Sequence, residues 1–164
     1  MPIIGSFSMP SRFVIHEHHA SHLHFDFRLE LEGVLRSWVL PKGPSMDPSQ
    51  RRLALEVEDH PLDYIDYEGI IPEGQYGAGM VAIWDRGTFD PVEIGKDKIS
   101  FTLHGKRLQG AFTLMHLTAR GTGNEWLFVK QKDRYAQPGW RLETSLTPGK
   151  RRQLQQRIPP CEEG

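Results

Sequence analysis

A chain of 164 residues with 20 Lys and Arg against 21 Asp and Glu has length for one domain with its own core. Its balanced charge excludes a globally basic nucleic-acid binder, so any such contact must rest on local clustering. The single cysteine, Cys161, excludes an intramolecular disulfide framework. A signal-peptide pattern and a run of about 18 apolar residues are both absent from the sequence, so a cytoplasmic location is expected.

Strand signals dominate, and 16 Gly and 12 Pro leave few windows for a long amphipathic helix. From His24 the residues alternate, His24, Asp26, Arg28 and Glu30 against Phe25, Phe27, Leu29 and Leu31, which predicts a strand with one apolar face. Glu32-Gly33 reads as a turn and Val34 to Leu40 as the hairpin partner. Residues 41–50, PKGPSMDPSQ, form a proline-broken loop. A second alternating run, Arg52 to His60, is expected to set Leu53, Leu55 and Val57 on one face and Arg52, Glu56, Glu58 and His60 on the other. A glycine-rich connection over 71–79 leads to a strand over 80–85. Further strands are expected at 98–103, 110–117 and 125–131, with turns at His104-Gly105 and 121–124. About eight short strands at this spacing define an all-β fold, a closed barrel or compact sandwich with few short helices. The expected organisation is an N-terminal arm over 1–11, the domain over 12–147, and a C-terminal tail over 148–164 to which no role is assigned.

The chemistry concentrates in HEHHASHLHFDFR, His16 to Arg28, which holds five of the eight histidines. Side chains two apart on a strand lie roughly 6.5–7 Å apart, so His24 and Asp26 can converge on one ion. Two imidazoles and a carboxylate make a three-ligand set that leaves positions open and suits Mn²⁺, Zn²⁺ or Fe²⁺. The third ligand stays open among His16, His18, His19 and His22. The bland alternative is a solvated histidine-rich loop; five histidines running into an alternating His-x-Asp-x-Arg strand favour the metal. Arg28 is suited to grip a phosphate or carboxylate bidentately, where its ordinary alternative is a salt bridge to Glu30 or Glu56. Arg52 and His60 recur on the second alternating strand, and Lys42 lies in the intervening loop. Arg28, Lys42, Arg52 and His60 around a divalent cation would form a pocket for a dianion, which is the electrostatic requirement of phosphoryl chemistry.

Three ordered segments, HASHLHFDFRLELEGVLRSWVLPKGPS, RLALEVEDHPLDYIDYEGIIPEGQYGAG and VAIWDRGTF, closely resemble the 3′-phosphoesterase domain of bacterial DNA ligase D and its free-standing relatives. The likeness spans residues 12–135. It implies a single β-barrel enzyme, manganese-dependent, with Zn²⁺ or Co²⁺ as other candidate ions. Such an enzyme removes a 3′-terminal ribonucleoside by a phosphodiesterase step and the remaining 3′-phosphate by a phosphomonoesterase step. By position, the resemblance puts metal ligands at His18, His24 and Asp26 and phosphate contacts at Arg28, Arg52 and His60, with Lys42 nearby. Tyr64 falls in the site, and Glu58 falls where the family has an acidic residue important for activity. Relatives commonly carry glutamine where this chain has His16, which leaves open a shifted hydrogen-bond network or an alternative ligand. Implied partners are DNA or RNA/DNA 3′ ends in primer-template form, a separate DNA ligase and end-joining proteins. The chain is expected to be a free-standing, monomeric member without a membrane partner.

In the mechanism so implied, Arg28 and Arg52 balance phosphoryl charge and His60 donates to the phosphate or protonates the departing sugar oxygen. The nucleophile is an adjacent 2′-hydroxyl or water, and no general base is identified. Two other classes remain as alternatives: a cupin-like non-haem iron oxygenase, which shares the ligand set, and a non-catalytic DNA-end-binding module. Arg12, Arg36, Arg51 and Lys150 to Arg152 are candidate backbone contacts, with ordinary surface charge as the alternative. Trp38, Trp84 and Trp126 are expected in the core, and His104 and His116 are assigned no chemical part.

Overall fold

The alternating strands close on themselves. The computed structural model describes residues 11–75, 78–118, 123–145, 148–149 and 152–153. Its strands are β1 (Ser11–His19), β2 (Leu23–Leu31), β3 (Val34–Leu40), β4 (Arg52–His60), β5 (Gly69–Ile71), β6 (Gly79–Ile94), β7 (Lys98–His104), β8 (Gln109–His116) and β9 (Glu125–Lys130). Eight of them form an antiparallel ring in the order β1-β2-β3-β4-β9-β8-β7-β6, closed by pairing of β6 with β1, while β5 adds to the start of β6. The all-β, eight-stranded barrel is therefore the fold of this chain. Between β4 and β5 lies a 3-10 turn, Leu62–Asp66, and the described residues 148–149 and 152–153 are helical. No helix among the described residues is long and apolar enough to cross a membrane.

Closure depends on the length of β6, which pairs with β1 over Met80–Phe89 and with β7 over Thr88–Ile94. The Glu32-Gly33 turn has positive φ at both residues, 51° and 84°, as a two-residue hairpin connection requires. Asp85, buried on β6, accepts from the backbone N–H groups of Lys106, Arg107 and Leu108 at 2.9, 3.1 and 2.8 Å. That triple contact satisfies the β7–β8 turn, whose buried donors would each cost about 1–3 kcal/mol if left unpaired.

Phe25, Phe27 and Leu29 point inward from β2, as the alternation predicts, and meet Phe13, Trp38, Phe101, Phe112 and Phe128. The Phe27 ring lies 5.0 Å from Phe128 and 5.6 Å from Phe101, centroid to centroid. Trp38, Trp84 and Trp126 also belong to this core. An eight-stranded barrel is narrow enough for side chains to fill it, so the lumen is a packed core. Beyond β9, residues 131–145 lie against the barrel. Trp84 Nε1 donates to Glu143 O at 2.6 Å, Gly139 N to Asp47 Oδ2 at 2.9 Å, and Ser145 N to the buried Glu17 at 2.6 Å. The expected arm over 1–11 lies outside the described residues except for Ser11, as does most of the expected tail over 148–164.

Candidate metal centre and anion pocket

With the lumen filled, polar side chains gather on the outer wall. Cross-strand partners share a face, so the registers read as rows. His18 pairs with His24, and His16 with Asp26, which pairs with Val39, which pairs with Leu55. The next row is Val14, Arg28, Ser37 and Val57. Three consecutive outward positions on β1 and three on β2 thus build one polar patch. A bulge between Leu35 and Ser37 on the β3–β4 ladder then brings His60 opposite Leu35, three residues after Val57 on β4 while β3 advances by only two from Ser37. An extra residue in one strand reverses the parity beyond it. His60 therefore joins the outer face although strict alternation puts it with Arg52.

His18, His24 and Asp26 each offer a ligand atom, all within 4.8 Å of one another. Asp26 carboxylate oxygens lie 3.3 Å from His24 Nε2 and 3.6 Å from His18 Nδ1. Donors bound at ~2.1 Å around a tetrahedral ion sit about 3.4 Å apart, so the trio fits a small divalent cation. Asp26 and His18 are buried and His24 is half-buried. Burial works to raise the Asp26 carboxyl, but hydrogen bonds from His18 and His24 and the charge of Arg28 outweigh it and hold the group well below the usual carboxylate range. For His24, burial favours the neutral ring, while Asp26 outweighs it and raises the imidazole above its ordinary value. The carboxylate is thus ionised before any cation arrives.

Arg28 is the hub beside this trio. Its Nε donates to His16 Nδ1 at 3.1 Å, Nη1 to Ser37 Oγ at 2.9 Å, and Nη2 to Asp26 Oδ2 at 3.3 Å. Nη1 also lies 3.2 Å from His60 Nδ1. A guanidinium has five N–H donors, so these contacts fix its plane and leave donor capacity toward the pocket. Tyr64, carried by the 3-10 turn, covers the guanidinium with its ring centroid 5.0 Å from Cζ. His16 is fully buried, and its Nε2 lies 3.1 Å from Tyr67 O. One ring nitrogen accepts from Arg28 and the other donates to a carbonyl, which defines a neutral tautomer. Burial, reinforced by Arg28, pushes its pKa down to about 3. His16 is therefore the support of Arg28 in this arrangement, and both its nitrogens are engaged.

His60 Nδ1 faces two partners, Arg28 Nη1 at 3.2 Å and Glu58 O at 3.1 Å. The first requires Nδ1 to accept and the second requires it to donate, so the two tautomers present Nε2 as donor or as acceptor. Burial and then the Arg28 charge lower the His60 pKa, which keeps the ring neutral.

A cavity of about 910 Å³ is lined by His18, His24, Asp26, Arg28 and His60 together with Glu58 and Tyr64. Its remaining wall is apolar: Ala20, Val39, Val57 and Ile71. Lys42 and Arg52 are not part of that wall. Lys42 is exposed in the 41–50 loop. Arg52 shares its parity with the core residue Ala54 and donates to Gln50 Oε1 at 3.2 Å, and its buried Nε has no partner among the described residues. Of the four groups expected to form the dianion cradle, Arg28 and His60 line the cavity, and Lys42 and Arg52 do not. Ser37, the Tyr67 carbonyl and the supporting role of His16 were not read from the sequence. A serine among apolar neighbours in VLRSWVL was the one signal available for Ser37.

The fold is thus a filled β-barrel whose outer wall sets a two-histidine, one-carboxylate group that could hold a metal ion beside a buried, hydrogen-bonded arginine. The family model of the DNA ligase D 3′-phosphoesterase domain matches residues 16–116, and the chain belongs to that family. Relatives include the Multifunctional non-homologous end joining protein LigD of Pseudomonas aeruginosa, 50% identical over 127 residues that make up 74% of this chain and 15% of the relative. The Multifunctional non-homologous end joining DNA repair protein LigD of Mycobacterium tuberculosis is 46% identical over 125 residues, 74% of this chain and 16% of the relative. The counterpart from Mycolicibacterium smegmatis is 40% identical over 133 residues, 74% and 17% respectively. The matched region is thus a small part of much larger multifunctional chains.

Proposed function

We propose that this chain is a divalent-metal-dependent phosphoesterase that processes 3′ ends of DNA, or of DNA ending in ribonucleotides, during end-joining repair. It removes a 3′-terminal ribonucleoside and then the 3′-phosphate, leaving a 3′-hydroxyl for a separate DNA ligase. Membership of the 3′-phosphoesterase family and the end-joining names of the relatives support the substrate class. The observation that carries the reading is the direct bond between Arg28 and Asp26, which sets an anion-binding guanidinium against the candidate ion ligands in one pocket.

Mn²⁺ held by His18, His24 and Asp26, with Zn²⁺ or Co²⁺ as alternatives, would supply Lewis-acid polarisation of the phosphoryl group. Arg28, pinned by His16, Ser37 and Asp26, meets charge on the phosphoryl oxygens without reorganising. His60 in the tautomer that accepts from Arg28 directs Nε2–H into the pocket, where it donates to the phosphate or to the departing sugar oxygen. Tyr64 shields the Arg28 guanidinium from water. Arg52, at the start of β4, and Lys42, in the loop before it, lie outside the pocket wall and are given no direct contact with the reacting phosphate. The oxygenase alternative gives Arg28, Ser37 and His60 no task.

The test is a gel assay with a 3′-phosphate primer-template and a second one ending in a single ribonucleotide, run across Mn²⁺, Zn²⁺, Co²⁺ and Mg²⁺. Phosphate and ribonucleoside release are expected, and His24→Ala and Asp26→Ala should lower both at least a hundredfold while Mn²⁺ titration shows weakened binding. Undiminished release by both variants would overturn the ligand assignment. Tight binding without release under any ion would favour the end-binding module.

A further inference from the structure

The outer wall beside the pocket has a feature that the chemistry above does not use. Val39 and Val57 line the pocket, and Val39 is paired across the ladder with Leu55. One row further along, Leu53 pairs with Leu127 and Leu127 with Met115. These side chains share the outward face, and Leu53 and Val57 are 41% and 36% exposed. Outward positions of a barrel wall are ordinarily polar, so an apolar track that starts in a pocket marks a binding surface.

We propose that this track is a shelf for the sugars and bases of the nucleotides that precede the processed 3′ end. The inference rests on the phosphoesterase reading of the pocket and extends it to the body of the substrate. The opposite side of the pocket is closed: the 3-10 turn and β5 lay Tyr64 and Ile65 over Val14 and Leu35, and Ile70 over Ala82. A strand whose terminal phosphate sits at Arg28 leaves across β4. From β2 to β9 are three inter-strand steps of about 4.8 Å, or roughly 14 Å, the length of about four stacked nucleotides at ~3.4 Å each.

Charge on the shelf selects which edge of the strand meets it. Glu125 lies opposite Leu55, and its buried Oε1 has no hydrogen-bond partner among the described residues. A carboxylate there disfavours phosphates, which leaves the sugar and base edges of a strand to meet the track. Arg51 and Lys42, both exposed, belong to the connection between β3 and β4 at the Leu53 end, where they can take the backbone phosphates. Apolar platform and flanking cations together match the pattern of single-strand binding surfaces.

The experiment compares wild type with Leu53→Asp and, as an independent variant, Leu127→Ser. Affinity for a 3′-phosphorylated oligodeoxynucleotide is read by anisotropy, and steady-state release is measured on that oligonucleotide and on a deoxynucleoside 3′-monophosphate. About tenfold weaker oligonucleotide binding and a matching rise in KM are expected, with kcat and the mononucleotide reaction unchanged. Oligonucleotide affinity equal to wild type in both variants would overturn the shelf. So would a change confined to self-association in sedimentation, which would assign the face to a second copy. If wild type releases no phosphate from either substrate while Leu53→Asp still weakens oligonucleotide binding, the shelf stands and the phosphoesterase reading fails.

Discussion

His16 is the residue whose replacement most directly tests how Arg28 is held. His16→Phe keeps a ring of similar shape but removes both nitrogens, so Arg28 Nε and Tyr67 O lose partners 3.1 Å away inside the protein. A hydrogen bond to a charged group is worth about 1.5–3 kcal/mol, and the neutral one to the Tyr67 carbonyl about 0.5–1.5 kcal/mol. The expected destabilisation is therefore about 2–4 kcal/mol, or a fall in Tm of roughly 4–16 °C for a protein of this size. His16→Gln retains one acceptor and one donor and should stay within about 1 kcal/mol of wild type. Melts run with a chelator exclude stabilisation by bound ions. The same pair of variants has a pH signature. The native His16 pKa is pushed down to about 3, whereas the unfolded chain takes up its proton near the ordinary 6.5. The unfolded state thus binds more protons between those values, and the His16 contribution to stability falls as pH drops through that window. Between pH 7 and 5 it amounts to about 2 kcal/mol. Wild type should lose that much more than His16→Gln over the interval. A His16→Phe melt indistinguishable from wild type, or an identical pH response of wild type and His16→Gln, would refute the arrangement.

Two further outcomes are expected. In the chelated protein, an NMR titration should place His60 below the ordinary imidazole value, because burial and then Arg28 both disfavour its charged form; a midpoint at or above 6.5 would contradict that environment. Glu17→Ala should release the segment that Glu17 anchors through the Ser145 N–H and hydroxyl, at 2.6 and 2.9 Å, and speed tryptic cleavage at Arg141. Cleavage at the wild-type rate would show that the anchor is dispensable.

Much of the barrel was legible in the chain because two of its strands alternate, and turn signals bound five further short apolar runs. β3 and β4 even begin and end where those signals set them, at Val34–Leu40 and Arg52–His60. β1 was hidden by its own chemistry: His16 and His18 stand on the outer face beside Val14, so the segment shows no apolar and polar alternation. β5 has only three residues inside a glycine- and proline-rich connection. The pocket was half legible. His24, Asp26 and Arg28 follow from spacing on one strand, whereas the inclusion of His60 and the exclusion of Arg52 depend on a bulge that no local pattern announces. On β4 the alternation was right and its direction was inverted. Leu53, Leu55 and Val57 face outward, and the small Ala54 is the residue that meets the crowded aromatic interior.

The crowding of that interior has a topological corollary. A protein that works inside its lumen must thread a polymer or admit only its tip through a mouth. Here the pocket opens on the convex side of the wall, so a long molecule whose end is held there can settle broadside and lift away again. Size is no barrier to such a substrate, and neighbouring machinery can hold the rest of the same molecule throughout.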